Sequence, residues 1–337
     1  MRAIVLVGGE GTRMRPLTRT IPKPLLPLVD RPFLQRLLEH LGRHGVEHVT
    51  LSSPYLEEAF ASFLRAWSTR PEIDWVTEAE PLGTGGAVAN AARALGETFL
   101  VGNGDILTDL DVTGLVGAHR GAGAVATIAL TPVQDARPFG LVELDNERRV
   151  LAFREKPAEL VPGLVNAGTY VLEPEAMRGV VPGRATSIER EVFPALIATH
   201  RTVLGYPSDV YWIDVGTPEK YLQATFDVLR GRIEGLSYAR PHVDPSAEVE
   251  AGAKLGPLVV VGPGARVASG ATVEDAVLME GSSVESGATV RGSILGPWAI
   301  VGARALLQGA VLADRSRVAT GVTAMEARVE PGETLPS

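Results

Sequence analysis

Apolar runs that stop at glycine open this chain. Residues 3–7 are five apolar positions closed by Gly8 and Gly9, the pattern of a strand buried on both faces. Phe33, Leu34, Leu37, Leu38 and Leu41 then recur at helical spacing, with Gly45 as a stop. Residues 46–52 alternate like a strand. Residues 55–67 read as a second helix, with Leu56, Ala59, Phe60, Phe63 and Leu64 on one side. A short strand is expected over 73–76. Gly83-Thr84-Gly85-Gly86 leads into an alanine-rich helix through Leu95, and a buried strand over 99–101 ends in Asn103-Gly104-Asp105. Strand and helix alternating in this order predict an α/β domain with a mainly parallel, mixed sheet and right-handed crossovers. Ligands of such sheets sit beyond the carboxyl ends of the strands, where Gly8-Gly9 and Asp105 both fall.

The pattern then changes. Residues 124–130, 141–144, 150–153 and 165–172 read as strands with few helices between them. Thr186-x-x-Glu189 reads as a capping box for a helix to about Thr199. Residues 210–214 form a strand ending in a carboxylate. Thr217-Pro218 is an N-cap with proline at the first helical position, for a helix to about Arg230.

From about Pro241 the period becomes six. Val243, Val249, Leu255, Val261, Val267 and Val273 keep register; Leu278, Val284 and Val290 continue it after a one-residue slip, and Val301 and Leu307 after another. Small turn residues separate them. This is the mark of a parallel β-helix built from hexapeptide repeats, each apolar residue pointing inward. Two domains are therefore expected, over 1–236 and 241–330.

Composition narrows the function. The 337 residues are 45% hydrophobic and 21% charged, with a net charge of −8 spread over both regions, so no basic face for nucleic acid is implied. There is no cysteine, which excludes disulfides and thiolate metal sites. Apolar runs are too short to span a membrane, and Gly8-Gly9 ends the first one too early for a signal peptide, so a cytoplasmic location is expected.

The opening loop, Gly8-Gly9-Glu10-Gly11-Thr12-Arg13-Met14-Arg15-Pro16-Leu17-Thr18 and then Pro22-Lys23-Pro24, holds the clearest chemistry. Glycines let a backbone turn sharply and aim several N–H groups at one anion. Arg13, Arg15 and Lys23 add cations, which points to a polyphosphate site. It is neither the dinucleotide fingerprint nor the P-loop. The glycines alone would equally suit a tight turn with solvated arginines. The full run G-G-x-G-T-R-x-R-P-L-T with P-K-P resembles the signature of the sugar-nucleotide pyrophosphorylases, nucleotidyl transferases acting on sugar 1-phosphates.

That resemblance implies a Rossmann-like nucleotidyltransferase domain followed by a left-handed parallel β-helix of about 18 residues per coil, about five coils in all. It implies transfer of a nucleotidyl group from NTP to a sugar 1-phosphate, releasing pyrophosphate. Leu6, Gly8, Gly9, Gly11, Thr12 and Arg13 would bind the nucleotide. So would Glu78, Gly83 and Thr84, since Glu78 to Gly86 resembles the E-x-x-P-L-G-T-A-G loop that receives the base. Gly85 stands there for alanine, which leaves the base open. Phe153-Arg154-Glu155-Lys156-Pro157 resembles F-x-E-K-P, and Asn166-Ala-Gly-Thr169 matches N-A-G-x-Y. These imply Gly140, Glu155, Lys156, Asn166 and Thr169 at the sugar phosphate. Asp105 and Asp214, each at a strand end, are implied as ligands of Mg²⁺ bridging the reacting phosphates. The catalytic set would be Arg13, Lys23, Asp105 and Lys156. Without the resemblance, each aspartate is equally a turn or cap residue, and Glu155-Lys156 an exposed ion pair.

The branch that transfers guanylyl groups to mannose 1-phosphate looks nearest, so GTP and that sugar phosphate are the expected partners. Thymidylyl or uridylyl transfer to glucose 1-phosphate is the alternative. A non-catalytic subunit that binds nucleotide sugar is another, although Arg13, Lys23 and both aspartates are present. An acyl-transferring β-helix is a third, but it commonly needs a coil histidine, and the six histidines end at His242, which is read as lying outside the repeats. Self-association through the β-helix is expected, because a narrow rod has apolar ends and sides to cover.

Overall fold

A computed structural model describes residues 1–54, 57–199 and 202–336. The chain divides into two compact units. The first is Met1–Gly9 with Leu34–Trp212; the second is Glu10–Phe33 with the chain from Ile213 onward.

The first unit is built on a nine-stranded mixed sheet. Strands Arg2–Leu6, His48–Ser53, Glu72–Thr77 and Phe99–Asn103 run parallel, as the strand–helix alternation requires. Gly163–Leu172 pairs antiparallel with Phe99–Asn103 and with Ala126–Val133; Gly140–Leu144 and Val150–Glu155 extend that side. Ile4, Phe99, Val101, Ile128, Tyr170, Leu172 and Phe193 are buried together under the helices. Phe33–Arg43 is helical as the spacing predicts.

Several expectations shift. The second helix is shorter and split, a 3₁₀ turn Glu57–Phe60 and a helix Ala61–Ala66; Tyr55 and Leu56 lie outside the described residues. Gly83 to Gly86 do not lead into a helix but form its first turn, Gly83–Ala91. Thr186 is not the cap of the next helix. Ser187 Oγ takes the Arg190 N–H at 3.1 Å, and the turn Ile188–Val192 that follows is a π-helix running into Phe193–Ala198. His242 is not outside the repeats but on the first strand of the β-helix.

In the second unit the helix Pro218–Leu229 starts as read, with Thr217 Oγ1 taking the Lys220 N–H at 3.3 Å. Beyond it come three parallel sheets of six, six and five short strands, consistent with a left-handed β-helix. Val261, Val267, Val273, Leu278, Val284, Val290, Val301 and Leu307 are fully buried in its core. The expected Val243 and Val249 are instead 37% and 38% exposed, because the first coil has a preceding coil on neither strand. Coil length also differs from 18. His242 pairs with Val260, 18 residues on, but Val260 pairs with Val277 and Val277 with Ile294, each 17 on. The missing residue is at one corner, closed by a single left-handed residue: Asp275, Gly292, Gly309 or Glu326. That conformation is open to glycine and costs other residues about 1 kcal/mol. Among the described residues no helix is long and apolar enough to cross a membrane.

Candidate active site

In the first unit the parallel strands end together, because Leu6 stands opposite both Ser52 and Asn103 in the sheet. Beyond that edge lies a cleft of about 230 Å³ lined by Leu6, Gly8, Gly9, Ser52, Glu78, Pro81, Gly83 and Thr84, among others. Six of the expected nucleotide residues are thus gathered in one place. Gly8 is required there, since a Cβ would stand 2.3 Å from Pro54 Cδ. Asp105 is held at the same edge. The Gly104 N–H donates to the Leu6 carbonyl at 2.9 Å, and a Cβ on Gly104 would meet that oxygen at 2.7 Å.

Glu78 is buried, and both its oxygens serve the protein. Oε1 accepts from Ser52 Oγ and Oε2 from the Leu82 N–H, each at 3.0 Å. It therefore shapes the loop 78–82 besides facing the cleft. Thr84 Oγ1 accepts from the Ile188 N–H at 2.9 Å and donates to Glu189 at 2.7 Å.

The sugar-phosphate set lies on the antiparallel side of the same sheet. Gly140 is opposite Glu155; a Cβ there would stand 2.5 Å from Phe153 and 3.0 Å from Glu155 Oε2. Lys156 follows the strand in the left-handed region, φ 51°, with its N–H on the Phe139 carbonyl at 2.8 Å. A lysine held there is the kind of strained position found at functional sites. Asn166 Oδ1 accepts from the Gly168 N–H at 2.9 Å, and its Nδ2 donates to the Tyr170 hydroxyl at 2.8 Å. These bonds fix a bulge before Thr169, which pairs with Gly102.

Glu189 is the residue that sequence reasoning missed. It was assigned to a cap, yet it holds Thr84 of the cleft, and its charge reaches Glu155. Burial raises the Glu155 carboxyl above its ordinary value, the Glu189 charge raises it further, and Lys156 and Arg190 pull it back. The signal available was the Thr186-x-x-Glu189 run, but nothing in it pointed to a partner about a hundred positions earlier.

The second unit carries Gly11, Thr12, Arg13, Lys23 and Asp214. Gly11 adopts φ 59° and caps the turn Thr12–Met14, while Thr18 Oγ1 donates to the Gly11 carbonyl at 2.8 Å and closes the loop. A Cβ on Gly216 would lie 2.8 Å from Arg13 Nη2 and 3.1 Å from Asp214 Oδ1, so this glycine brings a guanidinium and a carboxylate to one spot. Lys23 opens its own 3₁₀ turn, its Cβ 3.4 Å from where a Cβ of Gly11 would be.

Among the described residues no group of three or more His, Cys, Asp or Glu could hold an ion. A carboxylate at a strand end, as at Asp105 or Asp214, has the donor chemistry of a hard divalent cation rather than of a thiophilic metal. A larger cleft of about 470 Å³, lined by Val180, Val181, Arg184 and Leu196 among others, contains none of the expected residues.

Comparison with known proteins gives the family of the chain. The nucleotidyl transferase family model matches residues 2–231, and the GMPPB C-terminal domain model matches residues 239–337. The chain is 42% identical to a mannose-1-phosphate guanylyltransferase of Mycobacterium tuberculosis, over 83% of this chain and 80% of that one. It is 34% identical to mannose-1-phosphate guanylyltransferase 1 of Arabidopsis thaliana, over 88% and 86%. Among solved structures it resembles HddC from Yersinia pseudotuberculosis, with a TM-score of 0.59 and 30% identity over 66% of this chain and 97% of that one. HddC complexed with GMP-PN gives a TM-score of 0.58 at the same identity and coverage. Members of this family commonly use a divalent metal. With the family model covering residues 2–231, most of the chain, the chain belongs to the nucleotidyl transferase family.

Proposed function

We propose that the protein transfers a guanylyl group from GTP to mannose 1-phosphate, giving GDP-mannose and pyrophosphate. The observation that carries this reading is the cleft beyond the parallel strands, where Leu6, Gly8, Gly9, Glu78, Gly83 and Thr84 converge. The relatives' names and the GMP-PN complex of HddC support the choice of guanine. A phosphate oxygen of mannose 1-phosphate attacks the α-phosphorus in line. The bond from that phosphorus to the bridging oxygen breaks, and pyrophosphate leaves with the electron pair. No protein nucleophile is needed, so catalysis is positioning and charge neutralisation. Arg13 holds the departing pyrophosphate, Lys23 the α-phosphoryl oxygens and Lys156 the attacking phosphate. Glu155 orients a sugar hydroxyl, with Asn166, Thr169 and the Gly140 backbone around it. The Glu78 lone pairs left over from Ser52 and Leu82, with loop carbonyls, accept from guanine N1–H and N2–H₂. Asp105 and Asp214 would hold a divalent cation, Mg²⁺ in this reading, which neutralises phosphate charge when bound.

We infer a cytoplasmic setting, where nucleoside triphosphates are supplied. We also infer catalysis by residues 1–236, with self-association through residues 241–330. Light scattering on the full chain tests the association; a monodisperse monomer would contradict it. Pyrophosphate release tests the reaction: release with GTP and mannose 1-phosphate, lost in EDTA, is expected. No release with any NTP and sugar 1-phosphate pair would refute it.

A further inference from the structure

The second unit joins two stretches that are far apart in sequence. The loop 10–33 lies against the far end of the β-helix. Arg19 Nε donates to Glu330 Oε2 at 3.2 Å, and Arg328 Nη2 donates to Glu219 Oε1 at 3.1 Å. Arg328–Val329 is a strand of the last coil, and Glu330 follows it. Glu219 stands in the first turn of Pro218–Leu229, just after Asp214 and Gly216. The same unit ties the loop down again where the Tyr238 hydroxyl donates to Asp30 at 2.8 Å and the Tyr221 hydroxyl donates to the Pro27 carbonyl.

Arg19 ends the 3₁₀ turn Leu17–Arg19. Its neighbour Thr18 closes the loop on the Gly11 carbonyl, and Arg13 lies inside that closed loop. Met14 and Leu17 anchor the loop from beneath, both essentially fully buried. At the Arg19 end the side-chain partner is Glu330. The backbone around that partner is held by the coil. Val329 is buried in the core of the β-helix, and the Gly332 N–H donates to the Asp314 carbonyl of the preceding coil at 2.9 Å.

We propose that the last coil of the β-helix positions the cation-bearing loop, with Glu330 as the positioning residue acting through Arg19. The repeat domain then sets how closely the loop grips the triphosphate. This rests on the role given above to Arg13 and Lys23. An exposed ion pair is a weak strut, so the effect is one of tuning.

The test uses the full chain with Glu330→Arg, Arg19→Glu and both changes together. Two readouts are taken: amide hydrogen exchange of residues 11–20, and KM for GTP against kcat at saturating mannose 1-phosphate. Each single reversal should speed exchange and raise KM by about two- to fivefold with kcat little changed, the size of one surface pair, and the double reversal should restore both. Singles that leave the exchange of residues 11–20 at the wild-type rate would overturn the proposal, as would a double variant no tighter than the singles. If the wild type itself releases no pyrophosphate, the transferase reading fails and the exchange measurement alone decides this one.

Discussion

The Thr186 carbonyl oxygen lies 2.8 Å from the Gly85 amide nitrogen, and it takes the Gly86 N–H as well, at 3.1 Å. Two N–H groups of the first turn of Gly83–Ala91 are therefore taken by the protein's own backbone. Gly83, Gly85 and Gly86 allow this close backbone approach, since a Cβ on each would stand 2.8–3.1 Å from backbone atoms of Arg184, Thr186 or Ile188.

That packing predicts opposite results for two similar changes. A Cβ on Gly86 would meet the Arg184 carbonyl and Leu82 Cβ, both at 2.9 Å, whereas one on Gly117 in the helix Val112–Ala122 would meet nothing within 4 Å. Gly86→Ala should lose about 1–2 kcal/mol, crowding outweighing helix propensity. Gly117→Ala should gain up to about 1 kcal/mol. Urea unfolding checks both, and a Gly86→Ala variant as stable as Gly117→Ala would contradict the packing account.

Lys23→Ala should lower kcat about a hundredfold or more, the effect of losing one preorganised charge at the reacting phosphate. The fold should survive, since the 3₁₀ turn is held by backbone bonds from Leu25 to Pro22 and from Leu26 to Lys23. Circular dichroism with turnover decides it, and an active variant removes Lys23 from the catalytic set.

Asp105→Asn and Asp214→Asn should each weaken metal dependence, because an amide supplies no charge to a hard cation. The measurement is the Mg²⁺ concentration for half-maximal turnover. A variant that keeps the wild-type value shows that its residue is not a ligand.

His40 makes stability depend on pH. Burial, then the neighbouring His44 and Arg43, lower its pKa from 6.5 to about 4, while its Nε2 lies 3.0 Å from the Leu110 carbonyl. The unfolded chain takes up the proton first, so this stability is complete above pH 6.5 and is lost as pH falls toward 4. Between pH 7 and 5 the loss from this residue should be about 2 kcal/mol. In His40→Gln the fall over that range should be smaller by that amount. An unchanged slope in denaturant titrations would refute it.

The strands were legible because burial on both faces writes continuous apolar runs, and the β-helix because one inward residue recurs at period six. The 17-residue coil was hidden in the slips after Val273 and Val290, which mark a tightened corner rather than a defect. Residues at the sheet edge were legible through motifs, each local in sequence. Glu189 was not, because its meaning lies in a bond to Thr84, and a local pattern offered a cap that Ser187 fills instead. The tether from Glu330 to Arg19 was invisible for the same reason.

The central claim is tested most directly by steady-state kinetics across nucleotides and sugar 1-phosphates. A cleft whose buried polar groups read the base edge should discriminate strongly, since a wrong base leaves them unpaired. The account predicts the highest kcat/KM for GTP with mannose 1-phosphate. A higher value for dTTP or UTP with glucose 1-phosphate would contradict it.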